Sequence, residues 1–124
     1  MKKNKNTARS RRKMSIRNKV FGTPVKPRLS VFRSNLHFYG QLIDDENSKT
    51  LLSISSNSTE VEEQIKSSKE VKGKKGVAFV IGSILGKKMN DAMIENIVFD
   101  RNGYLYHGRV KAFADGVRKS GIKF

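Results

Sequence analysis

Apolar and polar residues alternate along much of residues 28–55, and a period of two is the pattern of β-strands that bury one face. In the second of these strands, Phe38, Gly40 and Leu42 share one face and the residues between them share the other. Short polar turns separate the strands, so we expect a meander of three strands. The predicted strands are residues 28–33, 37–43 and 50–55, with a tight turn over residues 34–36.

The period changes to that of a helix after residue 58. Thr59 with Glu62 forms a capping-box signature, and this short helix has acids at its start and lysines at its end. Residues 72–76 (KGKKG) predict a loop. A buried strand is the alternative for the apolar run that follows, but its helical pattern continues past two lysines. The apolar positions of this predicted longer helix are Val77, Ile81, Ile84, Leu85 and Met89.

The chain closes on a short apolar strand over residues 97–99 and a final helix. Apolar residues at helical spacing mark that helix, and Gly121 is placed to end it. In the longer helix, Gly82 and Gly86 are four residues apart, which predicts close packing against the sheet. The order of these strands and helices predicts an α/β fold with a mixed sheet flanked by helices.

Positive charge is concentrated at the start of the chain. Twelve of the 26 Lys and Arg residues precede the first acidic residue, Asp44, in a protein of net charge +15. Residues 1–22 form a basic arm with few apolar residues, so we expect it to be disordered, or helical when bound to a partner. Residues 23–124 then form a single α/β domain. Such a charge is best neutralised by a polyanion, and nucleic acid is the polyanion we expect.

Composition excludes several classes of site. There is no cysteine, which rules out disulfides, thiolate metal sites and cysteine nucleophiles, and the two histidines are too few for a histidine-rich metal site. The longest apolar stretch, residues 77–85, is shorter than the roughly 20 residues that a membrane span needs. The basic start leads into no apolar segment, so it is not a secretory signal, while an organellar transit peptide remains an alternative.

Carboxylates show no catalytic arrangement. The acidic groups at residues 44–46 and 60–63 are interpreted as a solvated turn and as the first turn of a helix. No strand interior carries the carboxylates of a two-metal nuclease, and KGKKG lacks the spacing of a P-loop. The sequence therefore predicts a protein that is not an enzyme and has no cofactor, metal site or small-molecule substrate.

Three segments combine cations with groups that recognise RNA. The arm contains RSRRK, and the first hairpin presents hydroxyl, amide and aromatic groups beside its arginines, including Tyr39. The third segment, residues 100–109 (DRNGYLYHGR), interleaves tyrosines and cations just before a helix N-terminus. Arginine and lysine would neutralise phosphates, while tyrosine, histidine and asparagine would recognise unpaired bases.

Two blocks, PRLSVFRSNLHFYGQLIDD and IVFDRNGYLYHGRVKAFADGVRKSGIKF, resemble the signature blocks of the bacterial large-subunit ribosomal protein eighteen family. The resemblance implies a three-layer α/β/α domain of ribonuclease-H-like topology without nuclease activity. It also implies binding to 5S rRNA, attachment of that RNA to 23S rRNA in the central protuberance, and contact with neighbouring 5S-binding proteins. The site of action would be the bacterial ribosome in the cytoplasm.

The resemblance also assigns RNA contacts by position. One departure is Asn102, which stands where many members have a second glycine; asparagine tolerates left-handed geometry, so we expect the loop to be kept. The expected RNA-binding residues are Arg9, Arg11, Arg12, Lys13, Arg17, Lys26, Arg28, Arg33, Ser34, Asn35, His37, Arg101, Tyr104, Tyr106, His107, Gly108 and Arg109.

Other function classes are kept as alternatives. A general DNA- or nucleoid-binding module would carry a similar basic arm, and an RNA-processing enzyme of nuclease-like fold would depend on Asp100. A polybasic protein of the membrane surface is the most distant alternative, because the arm lacks an apolar face.

Overall fold

The computed structural model describes residues 8, 10–12, 20–34, 37–67 and 73–124. Within the basic arm, residues 8 and 10–12 are helical and residues 20–22 are not, and the prediction for the rest of the arm lies outside these ranges. The elements that follow, in chain order, are β1 (Arg28–Arg33), β2 (Phe38–Asp44), β3 (Lys49–Ser55), α1 (Thr59–Ser67), α2 (Gly73–Asp91), β4 (Val98–Asp100) and α3 (Arg109–Lys119).

The strands form one mixed sheet in the order β3-β2-β1-β4. The meander is antiparallel, with Leu29 opposite Leu42 between β1 and β2, and β4 joins β1 in parallel, with Ser30 opposite Asp100. The α/β class with a mixed sheet is thereby confirmed. Because β4 pairs with β1, the loop after β4 lies beside the segment that leads from β1 into β2.

The core lies between one face of this sheet and helices α2 and α3. The period-two prediction is confirmed, since Phe38, Gly40 and Leu42 are buried on that face. The ring of Phe113 on α3 lies 5.1 Å from the ring of Phe38, and Leu85 of α2 packs near Gly40. These helices supply a helical layer on one face, and α1 joins it through a 2.6 Å ion pair between its Glu60 and Lys88 of α2.

Two expectations about α2 were wrong. The helix begins at Gly73, so residues 73–76 are helical although the lysine- and glycine-rich sequence predicted a loop. Gly82 and Gly86 pack against α3 rather than against the sheet: a Cβ atom on Gly82 would collide with the backbone of Phe113. Gly116 makes the equivalent close contact from α3, because a Cβ atom there would collide with the backbone of Phe79 on α2. The absence of side chains at these positions lets two helix backbones approach closely.

Candidate nucleic-acid interface

Two sequence segments that were predicted separately meet at the end of the sheet where β1 leads into β2. The Tyr104 hydroxyl accepts a hydrogen bond from the Arg33 backbone N–H (3.2 Å) and donates one to the Arg33 carbonyl (3.3 Å). Arg109 Nη1 donates to the Ser34 carbonyl at 3.0 Å. Ser34 in turn shapes the hairpin, since its Oγ accepts the His37 N–H at 3.1 Å. The end of the first hairpin and the segment before α3 therefore form one surface. We call it the hairpin surface, and it consists of Arg33, Ser34, Tyr104 and Arg109.

The cations of the hairpin surface are held by neutral groups. The Arg33 guanidinium lies 5.1 Å from the centre of the Tyr104 ring, and that of Arg109 lies 5.5 Å from the centre of the Phe38 ring. Among the ion pairs of the described residues, none includes Arg33 or Arg109. Burial, and then repulsion from Arg33, lower the pKa of Arg109. These two arginines have no acidic partner among the described residues, so this surface attracts anions.

Arg28 has a different environment from the one predicted for it. Only 9% of the residue is exposed, and its guanidinium is shared between two carboxylates. Nε and Nη2 donate to Asp45 at 2.9 and 3.0 Å, and Nη1 donates to Asp100 at 2.7 Å. Burial acts to lower the pKa of Arg28, but the hydrogen bonds and charges of Asp45 and Asp100 outweigh burial and raise it. The structure therefore makes Arg28 a buried structural residue, which is unsuited to RNA contact.

The prediction that the acidic turn at residues 44–46 is solvated was wrong for Asp44 and Asp45, whereas Glu46 is exposed. Asp44 is 3% exposed, and its carboxylate accepts hydrogen bonds from the Glu46 N–H and the Asn47 side chain. Asp45 binds Arg28 and also accepts the Gly22 N–H at 2.7 Å. The hydrogen bonds of Asp44 are made within the turn, whereas Asp45 binds Gly22 and Arg28, which are distant in sequence and which no pattern within the turn indicates.

Lys26 is exposed but lies before the start of β1, at the opposite end of that strand from Arg33. His37 is half-buried beside the hairpin surface, where its Nδ1 lies 3.0 Å from the Ser56 hydroxyl and its ring lies edge-on to Tyr39. The structure thus places His37 near Arg33, and places Lys26 elsewhere.

The loop after β4 is shaped by Asn102, which has φ +53°. Its backbone N–H binds Asp100, and its side-chain amide donates to the Val31 carbonyl at 3.0 Å, so the left-handed geometry expected for this asparagine is confirmed. Arg101 donates to the Tyr104 carbonyl at 2.9 Å. Tyr104, which is only 8% exposed, belongs to the hydrophobic core.

The residues between Tyr104 and α3 have three different environments. Tyr106 is 39% exposed and contacts Phe99 edge-on, while its hydroxyl accepts a hydrogen bond from Arg118 at 3.1 Å. His107 is exposed. Gly108 is the N-cap of α3, with φ +60° and ψ −122°, a conformation that favours glycine. Within residues 100–109, Tyr104 and Arg109 therefore belong to the hairpin surface, whereas Tyr106 contacts Phe99 and Arg118 instead.

The arm reaches this region through Arg12, whose Nε donates to the Gly103 carbonyl at 2.7 Å. Arg11 is exposed. The remaining predicted contacts at Arg9, Lys13, Arg17 and Asn35 lie outside the described residues.

Tyr39 was named from the sequence, but Phe32, which lies beside it on the sheet face opposite the helices, was missed. Phe32 is 49% exposed, and its ring lies 5.9 Å from that of Tyr39. A cleft of about 430 Å³ at the pair is lined by both rings, by Val31 and by uncharged polar residues that include Gln41 and Asn102. The alternation along β1 could have identified Phe32, because it places this residue on the face opposite the buried Val31.

The parts of the chain that the structure describes hold no group of three His, Cys, Asp or Glu side chains that could bind a metal ion. No helix in those parts is both long and apolar enough to cross a membrane.

Comparisons with known proteins give a consistent result. Residues 3–124 match the family described as ribosomal L18 of archaea, bacteria, mitochondria and chloroplasts. The chain is 46% identical over 123 residues to large ribosomal subunit protein uL18 of Thermotoga neapolitana, covering 99% of this chain and 98% of that protein. It is 46% identical over 124 residues to the protein of the same name from Nitratidesulfovibrio vulgaris, with both chains fully covered. The match to uL18 of Lawsonia intracellularis is 47% over 122 residues, or 98% of each chain.

Proposed function

The chain belongs to the L18 family of ribosomal proteins, and from this premise we propose that it binds 5S rRNA and attaches it to 23S rRNA in the central protuberance. The family makes it a structural constituent of the large ribosomal subunit rather than an enzyme. Its bacterial relatives are proteins of the large ribosomal subunit, which supports a place on the ribosome in the bacterial cytoplasm. Contact with other 5S-binding proteins is part of the proposal.

The observation that carries the proposal is the hairpin surface. Two segments far apart in sequence converge there, and each contributes an arginine that has no acidic partner among the described residues. A rigid surface that gathers uncompensated cations from several elements suits the backbone of a folded RNA. The basic arm is joined to the loop beside this surface by the hydrogen bond from Arg12 to the Gly103 carbonyl.

The arm and the domain take different roles in this proposal. Residues 1–22 wrap along the RNA, and residues 23–124 hold the hairpin surface in place. Phe32 and Tyr39, on the open face of the sheet, offer rings on which unpaired bases can stack. Arg28 is left out of the proposed contacts because its guanidinium is already bound to Asp45 and Asp100.

The test measures binding of the full chain to a 5S rRNA transcript in competition with duplex DNA and with an unrelated structured RNA of equal length. We expect a strong preference for the 5S transcript. With around eight phosphate contacts, the slope of log affinity against log salt should be about −6 to −7. Equal affinity for duplex DNA would instead identify a general nucleic-acid-binding module, and a nearly flat salt dependence would contradict binding through phosphates.

A further inference from the structure

A cleft opens on the helix side of the hairpin surface, between the end of β1 and the first turns of α2 and α3. It has a volume of about 370 Å³ and is lined by Arg33, Ser34, Lys74 and Arg109. Three of these four residues are cations, and none is acidic. Lys74 lies in the segment that the sequence predicted as a loop, and the helical start of α2 brings it to this position.

The two guanidinium groups in the cleft are held in place by other parts of the fold. Arg109 is anchored by its 3.0 Å hydrogen bond to the Ser34 carbonyl and by the ring of Phe38, and its Nε is buried without a hydrogen-bond partner. Arg33 lies over the ring of Tyr104. Holding like charges together is unfavourable unless an anion binds between them. The fold therefore maintains a repulsion between the cations, which binding of an anion would relieve.

The helix ends add to this effect. The short helix α1 follows the usual rule, with Glu60 and Glu62 in its first turn. In contrast, the first turns of α2 and α3 contain no acid, and no side chain caps α3 at Gly108. Lys74 and Arg109, which line the cleft, lie in these first turns, and the N–H groups and dipole of a helix N-terminus favour phosphate.

We propose that this cleft binds a single phosphate group of the RNA backbone, with Lys74 as a third cation beside Arg33 and Arg109. The guanidinium forks suit the tetrahedral oxygens of phosphate, and the lysine adds a point charge. This proposal rests on the proposed function for the source of the phosphate, since free phosphate has the same chemistry.

The first experiment compares Lys74→Ala with Lys87→Ala in binding to the 5S transcript. Both lysines are on α2, and the two positions are about 20 Å apart along the helix, so each change removes one charge from the same element. Lys74→Ala should weaken binding about five-fold and reduce the magnitude of the salt slope by about 1, whereas Lys87→Ala should change affinity less than two-fold. Lys74→Arg should retain most of the affinity. Thermal unfolding of each variant checks that the fold is kept.

The outcomes separate the two proposals. If the wild-type chain prefers 5S rRNA but Lys74→Ala behaves like Lys87→Ala, the phosphate cleft is refuted and the proposed function stands. If the wild-type chain shows no preference for the 5S transcript, the proposed function fails, and the cleft is judged with inorganic phosphate alone. Saturable NMR shifts of the Ser34, Lys74 and Arg109 amides that are lost in Lys74→Ala support the cleft. Equal shifts with chloride at matched ionic strength overturn it.

Discussion

Substitution of Arg28 by alanine tests the division between buried scaffold and RNA-contacting surface. The change removes hydrogen bonds of 2.9 and 3.0 Å to Asp45 and of 2.7 Å to Asp100. The Asp100 side chain is 1% exposed and that of Asp45 10%, so water can replace little of what is lost. The variant removes the cation that Asp100 binds and one of the partners of Asp45.

The expected loss is large for a protein of this size. Removing one partner from a buried ion pair costs about 3–5 kcal/mol, because an uncompensated buried charge remains. For a domain of about 100 residues, each kcal/mol shifts the unfolding midpoint by about 4–8 °C. Arg28→Ala should therefore lower the midpoint by at least about 12 °C. Arg28→Lys should lose less, since the ammonium keeps the charge but cannot reproduce the fork that binds both carboxylates.

The assay is urea and thermal unfolding followed by circular dichroism, with 5S rRNA affinity measured well below the midpoint. Arg33→Ala is the matched control, because it removes an arginine from the same strand at its exposed end. That control should change the free energy of unfolding by less than about 1 kcal/mol and weaken RNA binding several-fold. The reasoning is refuted if Arg28→Ala, or the milder Arg28→Lys, is as stable as Arg33→Ala and loses as much RNA affinity.

Three further predictions concern the core, the helix interface and the arm. Tyr104→Phe removes the hydroxyl that binds the end of β1 and should cost about 1–2 kcal/mol in urea unfolding; an unchanged midpoint would mean that the bond contributes nothing. Gly116→Ala forces a methyl group against the backbone of α2 and should cost about 2–3 kcal/mol by the same measurement, and a neutral result would show that the helices separate easily. Replacing Arg9, Arg11 and Arg12 together by alanine should weaken binding to every RNA tested, while the unfolding midpoint falls by only a few degrees. A large loss of stability there would make the arm part of the core.

The strands and their faces followed from the sequence because burial on one face imposes a local pattern. Phe38, Gly40 and Leu42 alternate with more exposed residues whatever lies above them. The left-handed turn at Asn102 and the glycine after α3 are equally local, since backbone geometry selects the residue type directly.

The misjudged positions depend on partners that are distant in sequence. Arg28 looks like any other cation of the basic segment until Asp45 and Asp100 reach it from 17 and 72 residues away. The spacing of Gly82 and Gly86 allows close packing against either the sheet or another helix. Which of the two packs there depends on the position of α3, which the spacing does not indicate. Lys74 was hidden for another reason: a run of lysine and glycine favours a loop, but α2, whose buried residues begin at Ala78, extends back to Gly73 as a helix.

The parallel pairing of β1 with β4 has a consequence for the order of folding. The meander is local, whereas the bond from Arg28 to Asp100 spans 72 residues and that from Arg109 to Ser34 spans 75. Long-range contacts of this kind form late, because a long segment must lose its freedom before they can form. During synthesis, Ser34 and Arg33 leave the ribosome well before Arg109 does, so a growing chain can build the hairpin without its partner arginine. The anion-attracting surface is thus completed only after Arg109 has been made, and until then the early basic residues act as separate charges.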